Sequence, residues 1–151
     1  VNGDLVNAYT AIRDDVDGVI DALKEHRAEE AYYYSVRDEM MVSGLSTTEA
    51  AARIIFLNRT CFNGLYRVNR SGKFNVPFGR YANPTICNES NLRAVSESLQ
   101  GVKIRHESVF SIGRRVRRGD LVYFDPPYDP ISKTASFDSI SRLAVPSHEK
   151  L

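Results

Sequence analysis

The chain has 151 residues, of which 42% are hydrophobic and 26% charged, with a net charge of +1. This balance is that of a folded globular protein with one core, or a large part of one, and it excludes a disordered class. No apolar run approaches the roughly 20 residues of a membrane span, and no signal-peptide pattern opens the chain. Cys61 and Cys87 lack metal-ligand or redox spacing, so the sequence predicts no metal site and free thiols in a reducing compartment. The chain opens on Val1 and stops in the polar stretch SHEKL, and it reads as a fragment.

Taken in order, Leu5, Tyr9, Ile12, Val16, Val19 and Leu23 recur at spacings of four and three, which predicts one amphipathic helix capped by Asn2 or Asp4. A second helix is expected over 29–41. Ser46 and Glu49 form a capping-box pattern ahead of AARIIFLNR, a helix apolar on most sides and therefore largely buried. The texture then changes. Tyr66, Val68, Phe74, Val76 and Phe78 alternate with polar residues around a turn at Arg70-Ser71-Gly72, which predicts a β-hairpin whose return strand, interrupted by Pro77, is an edge or irregular. Leu92, Val95 and Leu99 mark another helix. Residues 102–109, VKIRHESV, read as a strand, and LVYF at 121–124 reads as a short strand buried on both faces. Helices alternating with such strands indicate an α/β sheet with the hairpin as an inserted subdomain.

The small net charge hides a segregation. Residues 1–49 carry eleven acids against four bases, whereas 50–88 carry no acid and six bases: Arg53, Arg59, Arg67, Arg70, Lys73 and Arg80. Such an island suits a polyanion, and nucleic acid is the commonest one; a merely solvated positive face is the competing reading.

The apolar run 121–124 leads directly into Asp125-Pro126-Pro127-Tyr128. In open α/β sheets, ligands bind at the carboxyl ends of the strands. The prolines lack N–H groups and fix φ, and each holds the residue before it extended. Asp125 and the Pro126 carbonyl thus form two acceptors on a stiff edge, matched to the two hydrogens of an amino group, while Tyr128 offers a face for a planar ring. An exocyclic amine on a nucleobase is a poor nucleophile because its lone pair is delocalised. Hydrogen bonds to both hydrogens favour a pyramidal nitrogen able to attack an electrophilic methyl, by positioning and electrostatics alone.

With these residues in view, the chain resembles the Dam-type DNA adenine-N6 methyltransferases, in which DPPY follows the recognition subdomain. VNGDLVNAY, LNRTCFNGLYRVNRSGKFNVPFGRY and VYFDPPYDPISKTASF carry the likeness over nearly the whole chain. The resemblance implies a partial Rossmann-like methyltransferase sheet with an inserted helical and β-hairpin subdomain. Residues 1–28 and 101–151 would belong to the catalytic α/β domain and 29–100 to target recognition, with the basic hairpin at 62–81. It implies S-adenosylmethionine as cofactor and double-stranded DNA as partner, with no membrane, no stable protein partner and a cytoplasmic, prokaryotic or phage-encoded setting.

Residue by residue, the resemblance assigns Asp125, Pro126, Pro127 and Tyr128 to catalysis, holding and stacking an adenine flipped out of the duplex. Asp125, Ser108 and Val109 would belong to the cofactor site. Arg67 would read a guanine edge, Phe62 and Asn63 would lie at the space left by the flipped base, and Leu65 and Pro77 would make apolar base contacts. Arg59, Asn69, Lys73 and Arg80 would touch phosphate or further bases. The family's glycine-rich cofactor loop, early lysine segment and ribose-binding acid would lie upstream of Val1, so weak cofactor binding by these residues alone is expected. GATC is the target implied by the match around Arg67. Membership of a restriction-modification system stays open. An RNA or guanine-N2 methyltransferase, and a catalytically silent DNA-binding module, are the alternatives.

Overall fold

A computed structural model describes residues 2–38 and 44–125. They contain five α-helices: α1 (Gly3–Asp14), α2 (Val16–Lys24), α3 (Glu30–Asp38), α4 (Thr47–Thr60) and α5 (Glu89–Ser98). Two compact units divide the chain, one over Asn2–His106 and the other, beyond it, from Glu107 onward. The expected boundary at 28/29 falls inside the first unit.

Helix α4 is the centre of the first unit. The box expected from its sequence is present: the Ser46 hydroxyl accepts the Glu49 N–H at 3.2 Å, and the Glu49 carboxylate accepts the Ser46 N–H at 2.8 Å. Two orphan amides of the first turn are thereby satisfied. Ala51, Ala52, Phe56, Leu57 and Thr60 are buried, and α1, α2 and α3 all pack against this helix. The buried Thr60 hydroxyl donates back to Phe56 O at 2.7 Å, which satisfies it without a tertiary partner.

The single helix expected from Leu5 to Leu23 is instead two. Asp15 leaves helical geometry at φ −150°, ψ 69°; its N–H closes α1 on Ala11 O and its carboxylate opens α2 by accepting from Gly18 N. A Cβ at 18 would lie 2.4 Å from that carboxylate and would displace the cap. The apolar spacing runs unbroken through the corner because Val19 and Leu23 still face the core, and side-chain capping overrode periodicity. Helix α3 follows the expected span as far as Asp38; residues 39–41 of that expectation lie outside the described ones.

The hairpin turns where expected. Gly72, at φ +76°, sits at its tip, and Asn69 Oδ1 accepts the N–H groups of Ser71 (2.9 Å) and Lys73 (3.0 Å). It is not a continuous ladder, however. Val68–Phe74 and Cys61–Phe78 form isolated antiparallel bridges. Pro77 interrupts the return arm, lacking an N–H while its carbonyl accepts from Phe62 N at 2.8 Å.

Two further expectations are not met among the described residues. Residues 102–107 pair with no strand among the described residues, and Ser108 and Val109 do not end one: Ser108 caps a 3₁₀ helix over Val109–Arg114. Nor is 121–124 buried, since Leu121 is 96%, Tyr123 83% and Phe124 57% exposed. An apolar run becomes a buried strand only when neighbours satisfy its backbone and cover both faces, and no strand among the described residues does so. No described helix is long and apolar enough to cross a membrane.

Candidate nucleic-acid interface

The hairpin has two distinct faces. Phe74 and Val76 are buried and Phe78 half-buried, whereas Leu65, Arg67, Asn69, Lys73 and Pro77 are exposed. Alternation of side chains along an extended chain accounts for this: the even positions of the return arm pack inward and the odd ones stand outward.

What fixes the inward face is α3. The buried Tyr33 hydroxyl donates to Val76 O at 2.8 Å. Its ring packs between Phe56 and Phe78, at centroid distances of 6.2 and 5.3 Å. Burial pushes the Tyr33 phenol well above its ordinary pKa, so it remains a donor at all ordinary pH. At the base of the outgoing arm, Tyr66 donates to Asp4 Oδ2 at 3.2 Å. Tyr33 and Tyr66 were not singled out from sequence as supports, and neither lies in a motif that marks it as one.

Between α4 and the hairpin the chain turns sharply. Asn63 (φ +53°) and Gly64 (φ +60°) are both left-handed, a conformation that Asn tolerates and Gly accepts without strain. Asn58 Nδ2 donates to Gly64 O at 2.7 Å and pins the turn to α4. Phe62 (50% exposed), Asn63 and Leu65 (40% exposed), on and just after this turn, are all open to solvent. Phe62, Leu65 and Pro77 are exposed and lie outside the buried core.

The six bases of the acid-free segment divide by partner. Arg53 donates to Val36 O (2.9 Å) and Arg37 O (3.0 Å), capping the C-terminal carbonyls of α3, so its role is structural. Arg67 is held by Asn75. Arg80, itself at φ +54°, lies 3.5 Å from Glu30 and is 78% exposed. The side chains of Arg59, Arg70 and Lys73 make no hydrogen bond or ion pair among the described residues and are exposed. The outward face thus presents cations, amides and apolar groups with few acids among them.

Asp125 is exposed, as are Ser108 and Val109. The Ser108 hydroxyl accepts the Phe110 N–H at 3.4 Å, and its carbonyl accepts from Ser111. The hollow in this stretch is lined by Ile112, Arg115, Val116 and residues 120–123 and includes none of the three. Pro126, Pro127 and Tyr128 lie outside the described residues.

Comparison with known proteins connects these features. The chain is 42% identical over 153 residues to the Type II methyltransferase M.MjaIII of Methanocaldococcus jannaschii, covering 94% of this chain and 53% of that protein. It is 39% identical over 145 residues to the Type II methyltransferase M1.LlaDCHI of Lactococcus lactis subsp. cremoris, covering 91% and 51% respectively. It is 36% identical over 141 residues to a DNA adenine methylase of Escherichia coli K12, covering 91% and 50%. The chain spans about half the length of these relatives. The family model for D12 class N6 adenine-specific DNA methyltransferases matches residues 1–151, and the chain belongs to that family.

Proposed function

We propose that the protein carrying this chain is a site-specific DNA adenine-N6 methyltransferase, in which the outward hairpin face reads the duplex and the Asp125 segment holds the target amine. The observation that carries this reading is the exposed set Phe62, Asn63, Leu65, Arg67 and Pro77, carried on the hydrogen-bonded hairpin in an acid-free part of the sequence. A positively charged surface bearing apolar and amide groups fits a major groove better than it fits solvent. Arg67 reads guanine, Phe62 and Asn63 occupy the gap left by a flipped base, and Leu65 and Pro77 meet apolar base edges. Arg59, Asn69, Lys73 and Arg80 meet phosphate or further bases; for Asn69 the amide nitrogen is the available group, because its oxygen closes the turn.

Asp125 accepts one amino hydrogen of the extruded adenine, the Pro126 carbonyl accepts the other, and Tyr128 stacks on the ring. The methyl donor implied by the family is S-adenosylmethionine, and Asp125, Ser108 and Val109 would belong to its site. The sheet that an α/β methyltransferase requires belongs to the same proposal, with 102–109 and 121–124 among its strands in the whole protein.

The test is labelled-methyl transfer by the whole protein to duplex DNA and to RNA in competition. Transfer to adenine N6 in DNA is expected, with RNA competing weakly. Asp125→Ala is expected to abolish nearly all transfer while DNA binding stays largely intact. Preferential labelling of RNA would favour the guanine-N2 or RNA reading. Binding without any transfer would leave a silent DNA-binding module.

A further inference from the structure

We infer that Asn75 is a positioning residue for Arg67, setting its guanidinium for a guanine edge before DNA arrives. The inference rests on the reading of Arg67 as a base contact. The two residues face each other across the hairpin: Asn75 N donates to Arg67 O at 3.0 Å. In return, Arg67 Nε donates to Asn75 Oδ1 at 2.8 Å, and Nη2 donates to the Asn75 backbone carbonyl at 3.1 Å. The assignment of Oδ1 follows from chemistry, because a guanidinium only donates and an amide nitrogen cannot accept from it.

A guanidinium carries five N–H groups, of which these bonds use the Nε hydrogen and one on Nη2. The remaining three, two on Nη1 and one on Nη2, have no partner among the described residues. They include the end-on edge of the planar group, the pair that matches guanine O6 and N7. Asn75 thus occupies the side edge and leaves the reading edge open. Arg67 is otherwise exposed, and a long exposed side chain must lose rotamer freedom when it engages a base. Holding it in the free protein lowers that cost for guanine alone, so the benefit appears as discrimination rather than as general affinity.

The measurement is the dissociation constant of the whole protein for its methylated duplex and for variants substituted at each single base pair. Asn75→Ala is expected to lower discrimination about threefold to tenfold at the pair read by Arg67, the scale of losing one ordinary net hydrogen bond at an exposed position while the backbone bond survives. Affinity for a duplex lacking the site should stay near wild type, which also reports on folding. Asn75→Asp retains an acceptor oxygen and is expected to keep the discrimination while weakening binding on every duplex through its charge. In an Arg67→Ala background, Asn75→Ala should change discrimination no further.

Uniform weakening by both Asn75 variants with the preference intact would mean that Asn75 acts on DNA through its own amide, and would overturn the inference. If Arg67→Ala leaves the preference unchanged, the base-reading proposal fails, and the inference with it. If Arg67→Ala loses the preference and Asn75→Ala does not, the inference fails alone.

Discussion

The hairpin is seated by a few residues remote from its exposed face, and Tyr33 is the clearest. Its hydroxyl reaches Val76 O from α3, and Arg37 Nη1 approaches the same carbonyl at a longer 3.4 Å. Val76 is 1% exposed, so solvent has little access to its surroundings. Tyr33→Phe keeps the ring between Phe56 and Phe78 and removes only the donor. Leaving a buried carbonyl without its short bond costs about 1–3 kcal/mol, lowered here by whatever Arg37 retains. Chemical denaturation should register that loss. Because the outward residues depend on the seating of the return arm, specific DNA binding should weaken more than non-specific binding. An unchanged denaturation midpoint would show that Arg37 alone satisfies Val76. Gly79 illustrates the same dependence in steric form: a Cβ there would lie 2.6 Å from Cys61 O, at the bridge that closes the hairpin.

Among the elements, α4 was legible because its start is written in local chemistry, and the structure realises both bonds of the box. The hairpin turn was legible for the same reason: Asn69 and Gly72 each have a local task. The corner at Asp15 was missed because an amphipathic face can continue past a break in the backbone, and only the Asp-x-x-Gly pattern at 15–18 signals it. The expected strands depend on partners elsewhere, which a local pattern does not supply. Asn75 was missed because its significance is a cross-strand partnership with Arg67, visible only once the register is known.

The box also predicts a pH effect. The Ser46 N–H holds the Glu49 carboxyl below its ordinary value of 4.5. A carboxyl lowered on folding contributes stability that is full above the unfolded value and is lost as pH falls through the folded one. Ser46→Ala is expected to cost about 1 kcal/mol near neutral pH. Glu49→Gln should flatten part of the acid limb of the stability profile while leaving the helix intact by circular dichroism. An acid limb identical to wild type would assign the loss to the other lowered carboxyls: Asp14 and Asp38, held by neighbouring arginines, and Glu89, held by Arg93 and Lys24.

For the whole molecule, the contrast between the two units carries the most information. Residues 2–106 have a packed centre, with Val19, Tyr33, Phe56 and Leu57 all at 0% exposure. The stretch 121–124 exposes Leu121, Tyr123 and Phe124 in a run of β-favouring residues. Exposed side chains of this size forgo about 1.5–3 kcal/mol each relative to burial, and an uncovered apolar strand invites association. The chain covers about half the length of its relatives, and a parallel sheet buries such runs between neighbouring strands and helices. Hydrogen exchange therefore distinguishes two states of the same four residues. In the 151-residue chain alone, the amides of 121–124 should exchange at nearly the rate of an unstructured peptide. In the whole protein they should be slowed about a hundredfold or more, as core strands are. Tyr123→Lys should then destabilise the whole protein, because it buries an unpaired charge, and should raise the solubility of the 151-residue chain. Equal and rapid exchange of these amides in both forms would remove 121–124 from the sheet, and with it the strand end on which Asp125 is proposed to stand.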